Sequence, residues 1–464
     1  MIKSFEKSII LHYCPMKFYH SNIIEISHFV RNDNQLFIFG DVVRKRLRSF
    51  LTTSPIEIHL MKCHSERSDE SIYFCRTIVI FLLLIISFTS CVKDKVSEQT
   101  HFQTTPYQIK IPKFFPTALN IPSDNPMTVE GVRLGRYLFY DGRLSGRLNP
   151  DSQMTCATCH VQSNAFEVGI NNPRFPGGKT FGLSGIATPH YNMALVNLVF
   201  NKTGYLWSGF INQDNNQMGS TLYGVPSLPQ YHYKNLESLV WMAIAAPHEI
   251  NGSIDRTVNT IASIPMYPPM FKAAFGTEEV NYERISKAIA QFVRTLISSN
   301  SKFDKYLRGE TNLTSEELQG YVLFTTEAGA DCFHCHGGGG NPLFTTNLYY
   351  NNGKDSVFDD SKDRYSVTHL NSDKGAYKAP TLRNIMLTAP YMHDGRFKNI
   401  DEVIDFYSEG VLLTSYTNSL MHQAHNGGVQ LTVNEKKQLK AFLNTLTDYE
   451  FINDSNYSKP YGLP

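Results

Sequence analysis

Apolar positions along this chain fall into helical rows far more often than into strand-like alternation. In Asn281 to Ser298, Ile285, Ala288, Ile289, Phe292, Val293 and Ile297 recur at intervals of three and four, which places them on one face of a long helix. Thr314 and Ser315 stand ahead of Glu316 and Glu317, an N-cap signal that opens a helix running toward a cysteine-rich stretch. Near the end, Thr432 opens a third helix with Leu439, Phe442, Leu443 and Leu446 on one side. The pattern predicts a mainly α fold with Pro- and Gly-rich loops, in two halves that meet near Asn300 to Thr314.

The first ninety residues follow another pattern. Residues 1–60 show neither helical nor strand periodicity, and they read as a non-structural upstream extension, with Met61 an alternative start. Residues 61–90 read as a signal region. After Arg76 comes TIVIFLLLIISFTSC, an apolar run too short to span a bilayer comfortably, followed by the polar VKDKVSEQT. The order Phe88, Thr89, Ser90, Cys91 is similar to a bacterial lipobox with Phe88 in the usual leucine place. Lipidated Cys91 would then begin the mature protein and anchor it to the membrane from the periplasmic side.

Composition narrows the function. With 18% charged residues, 42% apolar residues and a formal net charge of +1, the 464-residue chain has a globular balance and no basic stripe to attract nucleic acid. Four of its eight cysteines belong to two copies of one motif, Cys156-Ala-Thr-Cys159-His160 and Cys332-Phe-His-Cys335-His336. Cys-x-x-Cys-His is the attachment signature of c-type haem: the thiols add to the two vinyl groups and the histidine ligates the iron. A thioredoxin-like redox pair needs no histidine there, and a zinc site needs more ligands than one copy supplies. Two covalent haems are expected, which agrees with export.

Beyond the two motifs, LGRYLFYDGRLS (134–145), FNKTGYLWSG (200–209), PHEI (247–250), YPPMFKAAFG (267–276) and KAPTLRNIMLTAPYMHDGRFKNIDEVIDFY (378–407) carry a wider likeness. From about Pro112 to Phe451 the chain resembles the bacterial di-haem cytochrome c peroxidases, including their MauG-like branch. The resemblance implies two cytochrome c-like haem domains. Residues 91–305 would form the peroxidatic domain around Cys156, Cys159 and His160, and residues 306–464 the electron-transfer domain around Cys332, Cys335 and His336. Trp207 would lie between the haems as a charge carrier, with Trp241 its rival. Glu249 would be the acid–base group for bound peroxide. The implied partners are hydrogen peroxide and a small electron donor such as a cytochrome c or cupredoxin, or in MauG-like fashion a protein to be oxidised; homodimerisation stays open. The alternative function is a di-haem electron carrier without peroxidase activity.

Several positions depart from the family pattern. Leu239 stands ten residues before Glu249, where these peroxidases often have glutamine. No secure counterpart of the distal histidine ligand appears between His160 and Phe181, and His190 reads as a pocket or structural residue. For the second haem, the resemblance puts Tyr407 in the sixth-ligand place, as in MauG-like members, where other members have methionine; Met392 and His393 are the rivals. A phenolate is a hard ligand that favours ferric or higher iron, whereas a thioether favours ferrous iron. A calcium ion is half supported: Thr388 and Pro390 could offer carbonyls, but the expected asparagine place falls near Tyr191, with Asn192 one residue off.

Overall fold

The protein, seen as a computed structural model, is described for residues 102–212, 214, 234–338 and 340–464, and for the paired two-residue strands Arg31–Asn32 and Gln35–Leu36. The expected signal region and Cys91 lie outside the described residues. Residues 1–98 and 99–464 form separate compact units. In the larger one, the helices are α1 (Val129–Tyr140), α2 (Cys156–Cys159), α3 (Leu236–Ala245), α4 (Ile254–Ser263), α5 (Tyr267–Phe275) and α6 (Tyr282–Arg294). They continue with α7 (Lys302–Leu307), α8 (Ser315–Phe324), α9 (Phe333–His336), α10 (Tyr365–Thr368), α11 (Ile400–Glu409), α12 (Val433–Asn444) and α13 (Tyr449–Asn453). Among the described residues of this unit, Tyr349–Tyr350 pairs antiparallel with Tyr377–Lys378. The mainly α expectation holds.

The predicted helices begin where their caps place them. Asn281 accepts from the Arg284 amide at the start of α6, and Thr314 and Thr432 form capping boxes with Glu317 and Glu435. The expected helix to Ser298 stops at Arg294. Its guanidinium forms a two-pronged pair with Glu237 at 2.6 and 2.9 Å and donates to the Asn120 carbonyl. Beyond it, the backbone turns so that Ser298 bonds to Asn197 and Asp448. A tertiary network therefore ends a helix that local periodicity would extend.

Each half repeats one plan. In the first, α1 packs on α6 so closely that a Cβ on Gly135 would run into the Ala288 carbonyl; in the second, Gly320 of α8 meets the Gln438 carbonyl of α12 in the same way. Between these crossings come Asn197 and Asn384, both at φ 61° before a short 3₁₀ turn, and both hydrogen-bonded to Ser298. Then follow two matching corners closed by the bridges Tyr205–Ile211 and Tyr391–Phe397. Each corner has positive φ at its second and fifth positions, Leu206 and Gly209 in one and Met392 and Gly395 in the other. Asparagine-capped helices come next, α3 after Asn235 and α11 after Asn399. The two larger hydrophobic clusters follow these halves, one spanning Leu134 to Leu296 and the other Phe303 to Leu446. The C-terminal tail packs back on the first: Phe451 is part of that cluster, and Arg136 and Tyr140 donate to carbonyls of Ser455, Tyr457 and Ser458.

Candidate functional site

Both Cys-x-x-Cys-His copies line one continuous cavity. Thr155 caps α2 in a box with Thr158, which curls the chain so that the His160 amide donates to the Cys156 carbonyl. The His336 amide donates to Cys332 in the same way. All four thiols are free. Burial raises their pKa values, those of Cys156, Cys159 and Cys335 to about 12, so they are held as thiols. The histidines are tethered through one ring nitrogen each, His160 Nδ1 to the Phe166 carbonyl at 2.8 Å and His336 Nδ1 to the Pro380 carbonyl at 3.0 Å. A carbonyl only accepts, so Nδ1 carries the proton and Nε2 keeps its lone pair for a metal. Burial lowers both imidazole pKa values to about 4, which favours the neutral ligating form. Paired thiols, a pre-oriented neutral imidazole and a largely apolar cavity fit covalent haem at each motif.

Glu249 lines the same cavity beyond the end of α3. Its loop is seated by Gly182, where a side chain would collide with the Pro247 carbonyl and the backbone of His248 and Glu249. Burial pushes its carboxyl pKa up to about 7. The side chain is nevertheless 31% accessible, a surface that faces the cavity, and Oε1 lies 3.8 Å from His248 Nε2. Leu239 also lines the cavity. His190 does too, with Nε2 buried and without a hydrogen-bond partner and its pKa lowered to about 4, first by burial and then by Lys362.

Trp207 and Trp241 separate clearly. Trp207 lines the cavity shared by both motifs and donates from Nε1 to the Tyr191 carbonyl at 2.7 Å, whereas Trp241 is packed in the first hydrophobic cluster beside Tyr282. Tyr407, on α11, reaches the cavity with its hydroxyl accepting from Asn352 Nδ2 at 3.0 Å, and the Met392 sulfur is 3.9 Å from that same nitrogen. The rival ligands therefore share one anchoring amide. His393 lines the cavity as well, but its ring is stacked on Tyr377 at 3.6 Å and edge-on to Trp207. Thr388 and Pro390 line the cavity beside Tyr191, and Asn192 Oδ1 accepts from Thr180 Oγ1 at 2.8 Å.

Three contributors escaped the sequence reading. Glu167 is a buried carboxylate on the cavity wall, its pKa raised to about 8 by burial, with Oε2 accepting from the Gly169 amide at 2.8 Å. Asn352 holds the Tyr407 hydroxyl. The third is Ala243. Positions 1, 4, 5 and 8 of α3 (Leu236, Leu239, Val240, Ala243) and of α11 (Ile400, Val403, Ile404, Tyr407) all line the cavity. Ala243 thus occupies in the first half the place of Tyr407 in the second. An internal-repeat comparison of NLESLVWMA with NIDEVIDFY would have found it.

Residues 129–312 match the family described as di-haem cytochrome c peroxidase. Over 333 residues the chain is 29% identical to the methylamine utilization protein MauG of Methylorubrum extorquens, covering 71% of this chain and 82% of that one. It is also 29% identical over 355 residues to the cytochrome c551 peroxidase of Nitrosomonas europaea, covering 74% and 90%. The solved structure of a MauG-like protein associated with microbial copper homeostasis is 30% identical with a TM-score of 0.61, covering 76% of this chain and 99% of that one.

Proposed function

Since this chain belongs to the di-haem cytochrome c peroxidase family that includes the MauG-like proteins, we propose that its two halves divide the work, the first meeting peroxide and the second storing or relaying oxidising equivalents. It is a haem oxidoreductase of peroxidase type, and the names of its relatives count against a mere electron carrier. Cys156, Cys159 and His160 would hold the peroxidatic haem of the domain 91–305, and Cys332, Cys335 and His336 the second haem, of 306–464. When bound, each haem supplies an iron that exchanges electrons with peroxide or with a redox partner.

The observation that carries this division is the pair Ala243 and Tyr407. On matching helices, at matching positions of the cavity face, the second half offers a phenol oxygen and the first offers a methyl group that ligates nothing. With haem bound, Tyr407 would thus offer its oxygen to the iron at the second motif, and Ala243 would leave room for a small reactant at the first. Glu249 stands in that first half. Its carboxylate takes the proton from one peroxide oxygen and returns it to the departing one, so that the oxygen–oxygen bond breaks unevenly. Reduction of one peroxide to two waters takes two electrons and two protons. A small redox protein, or a partner protein oxidised in MauG-like fashion, supplies the electrons, and Trp207 lines the cavity from which they pass between halves. Export to the periplasm suits covalent haem attachment and the signal-like run before Cys91. Calcium held by the Thr388 and Pro390 carbonyls would have to do without Asn192, whose Oδ1 accepts from Thr180 Oγ1.

Peroxide added to the purified, fully oxidised protein tests this division. The absorption spectrum should change without prior reduction, and Ala243→Tyr should abolish that change while two haems per chain are retained. Reaction only after reduction by a donor, or an Ala243→Tyr protein as reactive as the parent, would overturn it.

A further inference from the structure

At the rim of the second motif, four side chains from three separate segments converge: Glu327 after α8, Asp331 and His334 at α9, and His422 in the loop after α11. Asp331 is the organiser. Only 6% accessible, its carboxylate lies 2.6 Å from His334 Nδ1 through one oxygen and 3.0 Å from His422 Nδ1 through the other. An ionised carboxylate only accepts, so both imidazoles carry their proton on Nδ1 and present Nε2 with a free lone pair. This is the outer-sphere arrangement that orients metal-ligating histidines, here one acid serving two rings. The rings stand nearly perpendicular, 86° apart with centroids at 5.0 Å, and Glu327 Oε1 lies 3.5 Å from His334 Nε2.

We propose that Glu327, His334 and His422 form a binding site for a divalent transition-metal ion of the zinc or copper class, oriented by Asp331 at the edge of the second haem motif and using neither of the motif-closing histidines His160 and His336. Each of the three offers a ligand atom, and these atoms all lie within 4.8 Å of one another. Ligands placed about 2.0–2.2 Å from one ion stand roughly 3–4 Å apart, so small rotations of the accessible Glu327 (67%) and His422 (39%) complete the set. Two imidazole nitrogens and one carboxylate oxygen select a borderline ion over calcium or magnesium, which take oxygen ligands. Three protein ligands leave a coordination position open to water.

The other convergent cluster, Asp355, His393 and Asp394, lacks this character. There Lys354 Nζ lies 2.5 Å from Asp355 and 3.0 Å from Asp394, and Arg396 reaches the same two carboxylates at 2.8 and 2.7 Å. The protein's own cations occupy the place of an ion. Among the described residues, no lysine or arginine forms an ion pair with Glu327 or Asp331.

Calorimetric titration of the chelator-washed di-haem protein with Zn²⁺ alone tests the site. The parent should bind one Zn²⁺ per chain. His422→Ala and Glu327→Gln, both at accessible positions, should each weaken binding at least about tenfold with haem content unchanged. Asp355→Asn should leave it as it was. Absence of saturable binding in the parent, an affinity in either His422→Ala or Glu327→Gln equal to that of the parent, or loss of binding in Asp355→Asn would each overturn the assignment.

Discussion

Glu249 combines a cavity-facing carboxyl with a pKa pushed up to about 7 by burial. A carboxyl with a raised pKa is protonated below that value and becomes a base above it. The rate of reaction with peroxide should therefore rise as pH increases through about 7, and Glu249→Gln should remove that limb. Turnover in this variant should fall by a factor on the order of 10² to 10⁴ with the resting spectrum intact, as measured by stopped-flow absorption. At the other haem motif, Tyr407 and Met392 compete for one anchoring amide, that of Asn352. Tyr407→Met should raise the reduction potential of one haem and leave the other nearly unchanged, since a thioether favours ferrous iron. If spectroelectrochemistry showed that shift absent, and Met392→Leu instead removed a native ligand, methionine would be the ligand. The haem thiols and histidines, Glu249 and Tyr407 were all legible as candidates because each sits in a short stretch of distinctive residues. Glu167 and Asn352 were not, because a lone glutamate or asparagine acquires its role only from the wall it lines, and Ala243 is legible only when NLESLVWMA is set against NIDEVIDFY.

Among the elements, the helix crossings carry the sharpest energetic statement. Replacing a mid-helix glycine by alanine ordinarily stabilises by about 0.5–1 kcal/mol, because glycine has more conformational freedom to lose. At Gly135 the sign reverses: the new methyl would meet the Ala288 carbonyl, a backbone atom that cannot swing away. Overpacking of this kind typically costs about 1–3 kcal/mol, so Gly135→Ala should lower the melting temperature of the haem-loaded protein. Gly320 against Gln438 repeats the contact in the second half. Helix starts were readable, since Asn281, Thr314 and Thr432 cap through bonds only three residues long. The end of α6 was not, since the buried pair of Arg294 with Glu237 and the turn to Ser298 depend on distant segments.

Across the whole molecule, one plan appears twice. Helix crossing, left-handed asparagine, tight corner and asparagine-capped helix recur in order in residues 99–464. Ser298 ties the copies together by bonding to both asparagines, and the Asp448 carboxylate accepts from Ser298, Ser299 and Asn300 at the junction. Among the described residues, no helix is long and apolar enough to cross a membrane. The lipid expected at Cys91 would be the anchor. Cys91→Ala should move the protein from the membrane fraction to the soluble periplasmic fraction with two haems still bound, and fractionation followed by haem staining checks this.

By itself the sequence determined the covalent chemistry and the helical character. Cys-x-x-Cys-His, an N-cap and an apolar helix face are each complete within a few residues, so their physics is local. Tertiary structure alone decided that one cavity serves both motifs and that Trp207 and not Trp241 faces it. It also brought His422 to Asp331, 91 positions away. Such pairings follow from which helices cross and how closely, and that is set by the summed packing of two hydrophobic clusters rather than by any stretch of chain taken alone.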